Sequence, residues 1–290
     1  MLCGIFGCVL KRGKAAPTIH SGLKVLEYRG YDSAGEATVE KNKLYIKKEV
    51  GKIDEIHEKL DLDDLPGRIG IGHTRWATHG APTNLNAHPH VDCKGKIAVV
   101  HNGIIENFEA LRRELEEHGH TFKSRTDTEV VPHLIEEYLR ADKTFPEAFW
   151  EAIKRLEGSY ALAVIYANEP NTLLCARQDI PLLVGAAPNG YFISSDIPAI
   201  LPVTRKIIEV NNGELVILTA RELEIRSIKT KELIKRREKL IDWTLEAAIK
   251  GGYPHFMIKE IHEQAYTCLL YTSDAADEGL GVDLGGRRII

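Results

Sequence analysis

The stretch "SYALAVIYANEPNTLLCARQDIPLLVGAAPNGYFISS" (residues 159–195) decides the fold class of this chain. It contains four short apolar segments, and the residues between them are turn formers such as Asn, Pro, Asp and Gly. Two more segments of this kind, "KIIEV" (206–210) and "ELVILT" (214–219), follow soon afterwards. Strands this close together favour hairpin connections, so we predict an α+β fold and not a doubly wound parallel sheet.

Helical periodicity is concentrated in the middle of the chain. It runs through "NFEALRRELEEHG" (107–119), "TDTEVVPHLIEEYLR" (126–140) and "FPEAFWEAIKRLEG" (145–158). Thr126 and Glu129 have the spacing of a capping box and predict a helix start there. Before this block, the apolar patterns predict strands that end in polar residues, at 68–76 and 96–103, and a first buried strand at 3–10.

Composition excludes several function classes. The 290 residues carry a net charge of -4, and no basic cluster is dense enough to predict a nucleic-acid or membrane partner. The longest apolar segment, near 160–167, is far shorter than the ~20 residues of a membrane helix. The five cysteines contain no Cys-x-x-Cys pair, which predicts a reducing, cytoplasmic location without disulfides or a zinc site.

Cofactor motifs are also missing from the sequence. His88 and His90 lack an evident third ligand, so we predict that no metal binds there. The glycines of residues 279–286 do not have the spacing of a phosphate-binding loop. We therefore predict an activity that needs no cofactor.

Cys3 is the first candidate for chemistry. A cysteine at a free N-terminus can use its own α-amine as the general base for its thiol. That amine has a pKa of ~7.7–8.0, so much of it is unprotonated near neutrality. The alternative is a small apolar residue packed in the first strand.

The segment "HTRWATHG" (73–80) is the second candidate. Arg75 is suited to hold a carboxylate through paired hydrogen bonds, with Thr78 and His79 as further polar contacts and Trp76 as a lid. The alternative is a polar loop with one structural salt bridge.

Two further candidates follow. In "HNG" (101–103), the Asn102 amide and the Gly103 N–H are suited to bind an oxyanion, although Asn-Gly is also the strongest signal for a tight hairpin turn. Asp127 is suited to pair with a substrate ammonium, although an acidic residue in the first turn of a helix is common without such a role. Arg75 and Asp127 together would recognise a free amino acid.

Seven motifs, in order, give the chain its family resemblance. The chain resembles the class II glutamine amidotransferases, which are N-terminal nucleophile hydrolases, and within them the glutaminase domain of the glutamine–fructose-6-phosphate aminotransferases. The resemblance covers residues 3–264. Its motifs are "CGIFG", "LEYRGYDSAG", "GHTRWATHG", "NAHPH", "VVHNGIIEN", "TDTEV" and "HFMIKEIHEQ".

The resemblance implies a four-layer αββα sandwich that hydrolyses L-glutamine to glutamate and ammonia. It implies that Cys3 is the nucleophile and that Asn102 and Gly103 form the oxyanion hole. The remaining implied site residues bind the substrate or support the nucleophile; they are Arg75, Trp76, Thr78, His79, Asp127, Arg29 and Gly30.

The resemblance also implies a domain organisation. We predict a glutaminase domain at 3–240, a connector at 241–264 towards sugar isomerase domains that this sequence lacks, and a non-native, disordered tail at 265–290. Fructose 6-phosphate would bind only to those isomerase domains, and full-length family members would be homodimers. The alternatives are a non-catalytic binding module and the glutaminase half of another enzyme such as amidophosphoribosyltransferase.

Met1 and Leu2 stand in front of the expected nucleophile. Removal of an initiator methionine normally needs a small second residue, so Met-Leu is expected to resist it. We therefore expect either that translation begins at the codon of Leu2 or that the two residues form a short propeptide.

Overall fold

The structure is a computed structural model that describes residues 3–76, 80–242, 253, 257–262 and 264. The chain divides into two compact units, Met1–Asp242 and Trp243–Ile290. In the second unit, residues 257–262 and 264 are helical, and the Tyr253 ring stacks on His262 with the ring centroids 5.2 Å apart. The tail predicted at 265–290 lies outside the described residues.

The first unit contains long runs of strand on either side of a helical block. Its strands are β1 (Gly4–Leu10), β2 (Ser33–Glu40), β3 (Lys43–Val50), β4 (Ile69–Arg75), β5 (His90–Val91), β6 (Ile97–Ile105), β7 (Gly158–Tyr166), β8 (Leu173–Gln178), β9 (Leu183–Ala187), β10 (Gly190–Ser194), β11 (Lys206–Glu209), β12 (Glu214–Leu218), β13 (Leu223–Ser227) and β14 (Lys239–Leu240). Its helices are α1 (Ala16–Leu26), α2 (Ile53–Leu60), α3 (Phe108–Glu117), α4 (Val130–Arg140) and α5 (Phe145–Ile153).

The strands form two antiparallel sheets. The first sheet has eight strands in the order β14-β11-β9-β10-β1-β4-β2-β3, and the second has six in the order β13-β12-β8-β7-β6-β5. Strand β1 is central, because it pairs with β10 on one side and with β4 on the other. The end of β1 that begins at Gly4 therefore lies inside the sheet and not at its edge.

Both faces of each sheet are covered, because side chains alternate along a strand. In β1, Ile5 and Val9 pack between the sheets with Val100 and Ala163 of the second sheet. The intervening residues of β1, among them Phe6, pack with helices α1 and α2 on the outer side. Helices α3, α4 and α5 cover the outer face of the second sheet. The predicted α+β fold with four αββα layers is confirmed.

The helix predictions are confirmed for α3, α4 and α5, but the predicted capping box is wrong. The Thr126 side chain makes no capping hydrogen bond, and residues Asp127–Glu129 form a 3-10 turn ahead of α4. The Glu129 carboxylate instead accepts the backbone N–H groups of Lys123, at 2.8 Å, and Ser124, at 2.6 Å. It braces the segment that leads into the turn.

No helix within the described part of the chain is long and apolar enough to cross a membrane.

Candidate active site

Cys3 immediately precedes β1, and its side chain is only 6% exposed. Its Sγ accepts the backbone N–H of Trp76, which follows the neighbouring strand β4, at 3.3 Å. Burial raises the pKa of the thiol, while the Trp76 amide and the positive charge of Arg75 act in the opposite direction. The thiol is thus held in a desolvated position, where the Trp76 amide and Arg75 offset only part of the rise in its pKa.

The backbone carbonyl of Cys3 is fixed by two side chains. It accepts the Nε–H of Arg29 at 3.0 Å and the amide Nδ2–H of Asn102 at 3.0 Å. Arg29 is itself held by an ion pair between its Nη1 and Oδ2 of Asp196, at 2.9 Å. Three segments far apart in sequence therefore determine where the backbone of Cys3 lies.

The orientation of the Asn102 amide follows from its other neighbour, His73. The Nε2 of His73 lies 2.9 Å from the carbonyl oxygen of His101 and 3.0 Å from Oδ1 of Asn102. Since a carbonyl only accepts, this Nε2 carries a hydrogen, and the atom of Asn102 that faces it is the oxygen. Burial lowers the pKa of His73 to about 3, so the ring is neutral. Asn102 therefore presents its NH₂ group to Cys3.

Residues 101–103 lie inside β6, so the hairpin-turn alternative for "HNG" is wrong. Gly103 nevertheless needs to be glycine. Its φ is +129°, and a Cβ there would lie 1.9 Å from the carbonyl oxygen of Ser159 on β7. The Asn-Gly dipeptide, which is typical of a turn, lies here at a close approach between the paired strands β6 and β7.

Asp127 begins the 3-10 turn before α4 and is buried. Its Oδ2 accepts the backbone N–H of Ile105 at 2.8 Å and lies 3.9 Å from Nδ1 of His101. This contact holds the carboxylate at the end of β6, the strand that also carries Asn102 and Gly103.

Arg75 is the last residue of β4 and is also buried. Its Nη2 donates to the carbonyl of Gly80 at 3.3 Å. Gly30 lies directly against the Arg75–Trp76 peptide, because a Cβ on Gly30 would be 2.6 Å from the carbonyl carbon of Arg75. A larger residue at position 30 would displace the amide that contacts Cys3.

Most of the sequence-predicted site residues meet in one place. A single cavity is lined by Cys3, Arg75, Trp76, Gly103 and Asp127, together with His73, His88, His101, Thr126 and Thr128. Asn102 and Arg29 contact the backbone of Cys3, as described above. The Trp76 side chain is 43% exposed, and its ring meets that of Tyr31 edge to face at 5.2 Å. Thr78 and His79 lie outside the described residues.

Comparison with known proteins shows which family has a domain similar to this chain. A model described as "Glutamine amidotransferase domain" matches residues 73–202. A glutamine–fructose-6-phosphate aminotransferase (isomerizing) of Pyrococcus horikoshii is 54% identical over 268 residues, which cover 91% of this chain and 44% of that protein. The enzyme of the same name from Methanothermobacter thermautotrophicus is 49% identical over 281 residues, which cover 97% of this chain and 47% of that protein.

The chain contains a glutamine amidotransferase domain. A solved structure of glutamine phosphoribosylpyrophosphate amidotransferase from B. subtilis, in complex with ADP and GMP, superimposes with a TM-score of 0.69 at 27% identity. That match covers 79% of this chain and 50% of the other. The chain spans less than half of the length of the two curated relatives, and it corresponds to their amidotransferase part.

Sequence reasoning missed several residues of the amidotransferase cavity. His73 and His101 lie within quoted motifs but were given no role, and both of them hold cavity groups through hydrogen bonds. Thr128 contacts Nδ1 of His101 at 2.9 Å and Nε2 of His88 at 3.3 Å. The density of histidines around "HPH" and "HNG" was the available signal. No local pattern pointed to Asp196 as the partner of Arg29.

Proposed function

We propose that this amidotransferase domain hydrolyses L-glutamine to glutamate and ammonia, with Cys3 as the N-terminal nucleophile. One observation carries the proposal: the thiol of Cys3 lies in a cavity that is also lined by the cation of Arg75 and the carboxylate of Asp127. A free amino acid has one negative and one positive group on the same carbon. A buried Arg and a buried Asp in one cavity match that pair of charges.

In the proposed complex, Arg75 holds the α-carboxylate of glutamine and Asp127 holds its α-ammonium. The Asp127 carboxylate is already anchored through Oδ2 by the N–H of Ile105, so it needs little reorganisation to receive the ligand. Trp76, Thr78 and His79 would complete the pocket, while Arg29 and Gly30 would support the nucleophile from behind.

The proposed reaction begins when the α-amine of Cys3 takes the thiol proton. The thiolate attacks the side-chain amide carbon of glutamine, and the negative charge develops on the former carbonyl oxygen. The second hydrogen of Asn102 Nδ2 and the backbone N–H of Gly103 would stabilise this oxyanion. The ammonium of Cys3 then returns its proton to the departing ammonia, and water hydrolyses the glutamyl thioester.

This mechanism needs a free α-amine on Cys3. An acylated nitrogen has no basicity, so Met1 and Leu2 have to be absent from the active protein. The burial of the thiol makes this requirement stricter, because the raised pKa leaves less thiolate in the absence of a base.

We further propose that the ammonia is used to convert D-fructose 6-phosphate to D-glucosamine 6-phosphate in a longer protein. The support is the name shared by the relatives at 54% and 49% identity, of which this chain covers 44% and 47%. Residues 3–240 would then be the glutaminase domain and 241–264 the connector, and the whole enzyme would be a homodimer. An amidophosphoribosyltransferase is less well supported, because its solved structure is only 27% identical.

The test is a glutaminase assay on protein whose N-terminus has been established by intact mass. We expect glutamate release from the species that begins at Cys3 and a loss of at least about 10³-fold in Cys3→Ala, because no other group supplies the nucleophile. Cys175→Ala is the matched control, since Cys175 is buried between the two sheets, away from the cavity.

Two results for active protein contradict the proposed mechanism, and an inactive processed protein contradicts the proposed activity. One is normal glutamine hydrolysis by Cys3→Ala. The other is full activity in protein that retains Met1, which would support a mechanism without the α-amine. An inactive but correctly processed protein would favour a non-catalytic binding module.

A further inference from the structure

A second group of reactive side chains lies on the outer side of the six-stranded sheet, and the proposed glutamine chemistry does not use it. Cys93 lies in the turn between β5 and β6, and His120 lies between α3 and α4. His133 and Glu136 are three residues apart in α4, on the same face. One ligand atom from each of the four residues lies within 4.8 Å of all the others.

The spacing of these atoms fits a tetrahedral metal ion. The Sγ of Cys93 is 3.6 Å from Nδ1 of His120 and 3.5 Å from Nδ1 of His133, and the two nitrogens are 3.2 Å apart. Oε2 of Glu136 is 3.4 Å from the first nitrogen and 3.9 Å from the second. Zinc bonds of about 2.0–2.3 Å in a tetrahedron place neighbouring ligand atoms roughly 3.3–3.6 Å apart.

The outer nitrogen of the His120 imidazole shows which atom of that ring faces the cluster as a lone pair. Nε2 of His120 lies 2.9 Å from a carboxylate oxygen of Glu137, which favours the hydrogen on Nε2 and leaves Nδ1 to face the cluster. Nδ1 of His133 faces the same point, 3.2 Å from Nδ1 of His120 and 3.5 Å from Sγ of Cys93.

The two Nδ1 atoms, the sulfur of Cys93 and Oε2 of Glu136 lie around one point. His120, His133 and Glu136 are all buried. The Glu136 carboxylate is held in place by Nη2 of Arg140, at 2.7 Å from Oε1, and by the backbone N–H of Cys93, at 3.1 Å from Oε2. A cation at the centre would satisfy all four groups together.

We infer that Cys93, His120, His133 and Glu136 form a binding site for a structural zinc ion. One soft thiolate, two imidazoles and one carboxylate are ligands that zinc accepts, and four protein ligands close its tetrahedral shell. Binding replaces the thiol proton of Cys93 by a sulfur–zinc bond and releases that proton to solvent. The zinc ion joins the β5–β6 turn to the α3–α4 connection and to α4.

The zinc ion also acts on the geometry of the amidotransferase site. Helix α4 starts directly after the 3-10 turn Asp127–Glu129, which places Asp127 in the cavity. Glu129 belongs to that turn and faces Nε2 of His133 at 3.7 Å. Zinc at His133 thus fixes helix α4, which directly follows the 3-10 turn that holds Asp127, the candidate ammonium partner.

The inferred zinc site runs against the sequence-based prediction that the five cysteines form no zinc site. That prediction relied on the absence of a Cys-x-x-Cys pair, whereas these ligands come from three separated segments.

The experiment measures zinc in the full chain and follows Co²⁺ as a spectroscopic probe. Metal analysis of the purified protein is expected to give about one zinc per chain, retained on dialysis without chelator. After chelation, added Co²⁺ is expected to produce the visible bands of tetrahedral cobalt and a thiolate-to-cobalt charge-transfer band. Cys3→Ala is expected to keep these bands, which excludes the active-site thiol as the ligand.

Cys93→Ser is the decisive variant, because it replaces the thiol of the most exposed ligand by a hydroxyl on a side chain of the same shape. Circular dichroism checks that the fold is kept. We expect it to lose the charge-transfer band and to bind Zn²⁺ at least about 100-fold more weakly. His118→Gln is the matched control: His118 also contacts Glu137, at 3.2 Å, but lies outside the cluster, so its zinc affinity is expected to stay unchanged.

The inference is overturned if wild type contains no zinc and takes up neither Zn²⁺ nor Co²⁺. It is also overturned if folded Cys93→Ser binds Zn²⁺ as tightly as wild type. Neither outcome depends on glutamine hydrolysis, so the failure of this inference leaves the proposed reaction standing.

Discussion

Two regions of the molecule combine one cysteine with buried histidines, and they use them differently. Around Cys3, Nε2 of His73 donates to a backbone carbonyl and to an amide oxygen, and Nδ1 of His101 meets the hydroxyl of Thr128. Around Cys93, the outer nitrogens of His120 and His133 face carboxylates. Hydrogen bonds to backbone and side-chain oxygens make the first histidines positioning groups. In the second pair the two Nδ1 atoms face each other and Sγ of Cys93, as metal ligands do.

The thiols themselves do not reveal this difference. Burial raises the pKa of both Cys3 and Cys93, and each sulfur accepts one backbone N–H, from Trp76 at 3.3 Å and from Thr121 at 3.4 Å. What separates them is the next shell: a cavity with an Arg and an Asp in one case, and two converging imidazoles in the other. The surroundings of a cysteine therefore indicate its chemistry better than the residue does.

The variant expected to separate the two regions most strongly is Asn102→Ala. We expect Asn102→Ala to lower kcat for glutamine hydrolysis by about 10²–10³, the usual cost of losing one oxyanion donor. Zinc binding is expected to stay unchanged. Steady-state kinetics at saturating glutamine measure the first quantity, and metal analysis measures the second.

Asn107→Ala is the control for this prediction. The Asn107 amide donates to the carbonyl of Arg155 at 2.8 Å, away from the cavity, so kcat should be close to wild type. Equal kcat values for the two alanine variants would contradict an oxyanion role for Asn102.

A second prediction concerns the neutral histidines near Cys3. The pKa of His73 is lowered to about 3 by burial, so the unfolded chain binds a proton at this residue below about pH 6.5 while the folded chain does not. The contribution of His73 to the free energy of unfolding is therefore fully present at pH 7, and it decreases as the pH falls towards 3. Between pH 7 and pH 5 the decline is about 2 kcal/mol.

Urea unfolding of wild type and His73→Gln at both pH values, with chelator present, tests this prediction. Glutamine keeps a donor for the His101 carbonyl but does not titrate. We expect the loss of stability from pH 7 to pH 5 to be about 2 kcal/mol smaller in the variant. An identical pH dependence in both proteins would mean that the buried ring is not held neutral.

The smallest expected effect concerns zinc affinity at the cluster around Cys93. Glu137→Gln removes the charge opposite Nε2 of His120 but keeps an oxygen that can accept its hydrogen. We expect the affinity for Zn²⁺ to fall about 10-fold, at the lower end for loss of an outer-shell partner, with glutamine hydrolysis unchanged. Competition with a chromophoric chelator measures the affinity.

Glu151→Gln is the control, because Glu151 pairs with the half-exposed Lys154 at 3.0 Å and does not belong to the cluster. If both glutamine variants bind Zn²⁺ like wild type, the carboxylate of Glu137 does not orient His120.

Much of the fold was predictable because its strands and helices have clear local patterns. Strands β1, β4 and β6 lie where apolar runs end in polar residues, and the three central helices follow their 3.6-residue stripes. The local patterns failed where tertiary contacts decide. Gly103 has the positive φ that Asn-Gly favours, but it serves a close approach to Ser159 and not a turn. Glu129 has capping-box spacing, but its carboxylate holds the backbone of residues 123 and 124.

The residues of the candidate site were more predictable from the sequence than the contacts between them. Cys3, Arg75, Gly103 and Asp127 were chosen from motifs, and the structure brings them to one cavity. Their catalytic roles stay predictions. In the contacts that link Asp196 through Arg29 to the Cys3 carbonyl, Arg29 and Asp196 alone are 167 positions apart, and no sequence window contains them. The same holds for the zinc ligands, which meet only after the helices pack.

The central position of β1 has one more consequence. Its alternate side chains belong to different layers, so a shift of the strand by one residue would exchange the inner set with the outer set. Gly7 also leaves no room for such a shift, because a Cβ there would lie 2.9 Å from the carbonyl oxygen of Gly70. The packing of β1 in the hydrophobic core therefore fixes the position of the nucleophile that directly precedes it. No flexible loop determines how far the thiol lies from the reacting carbon.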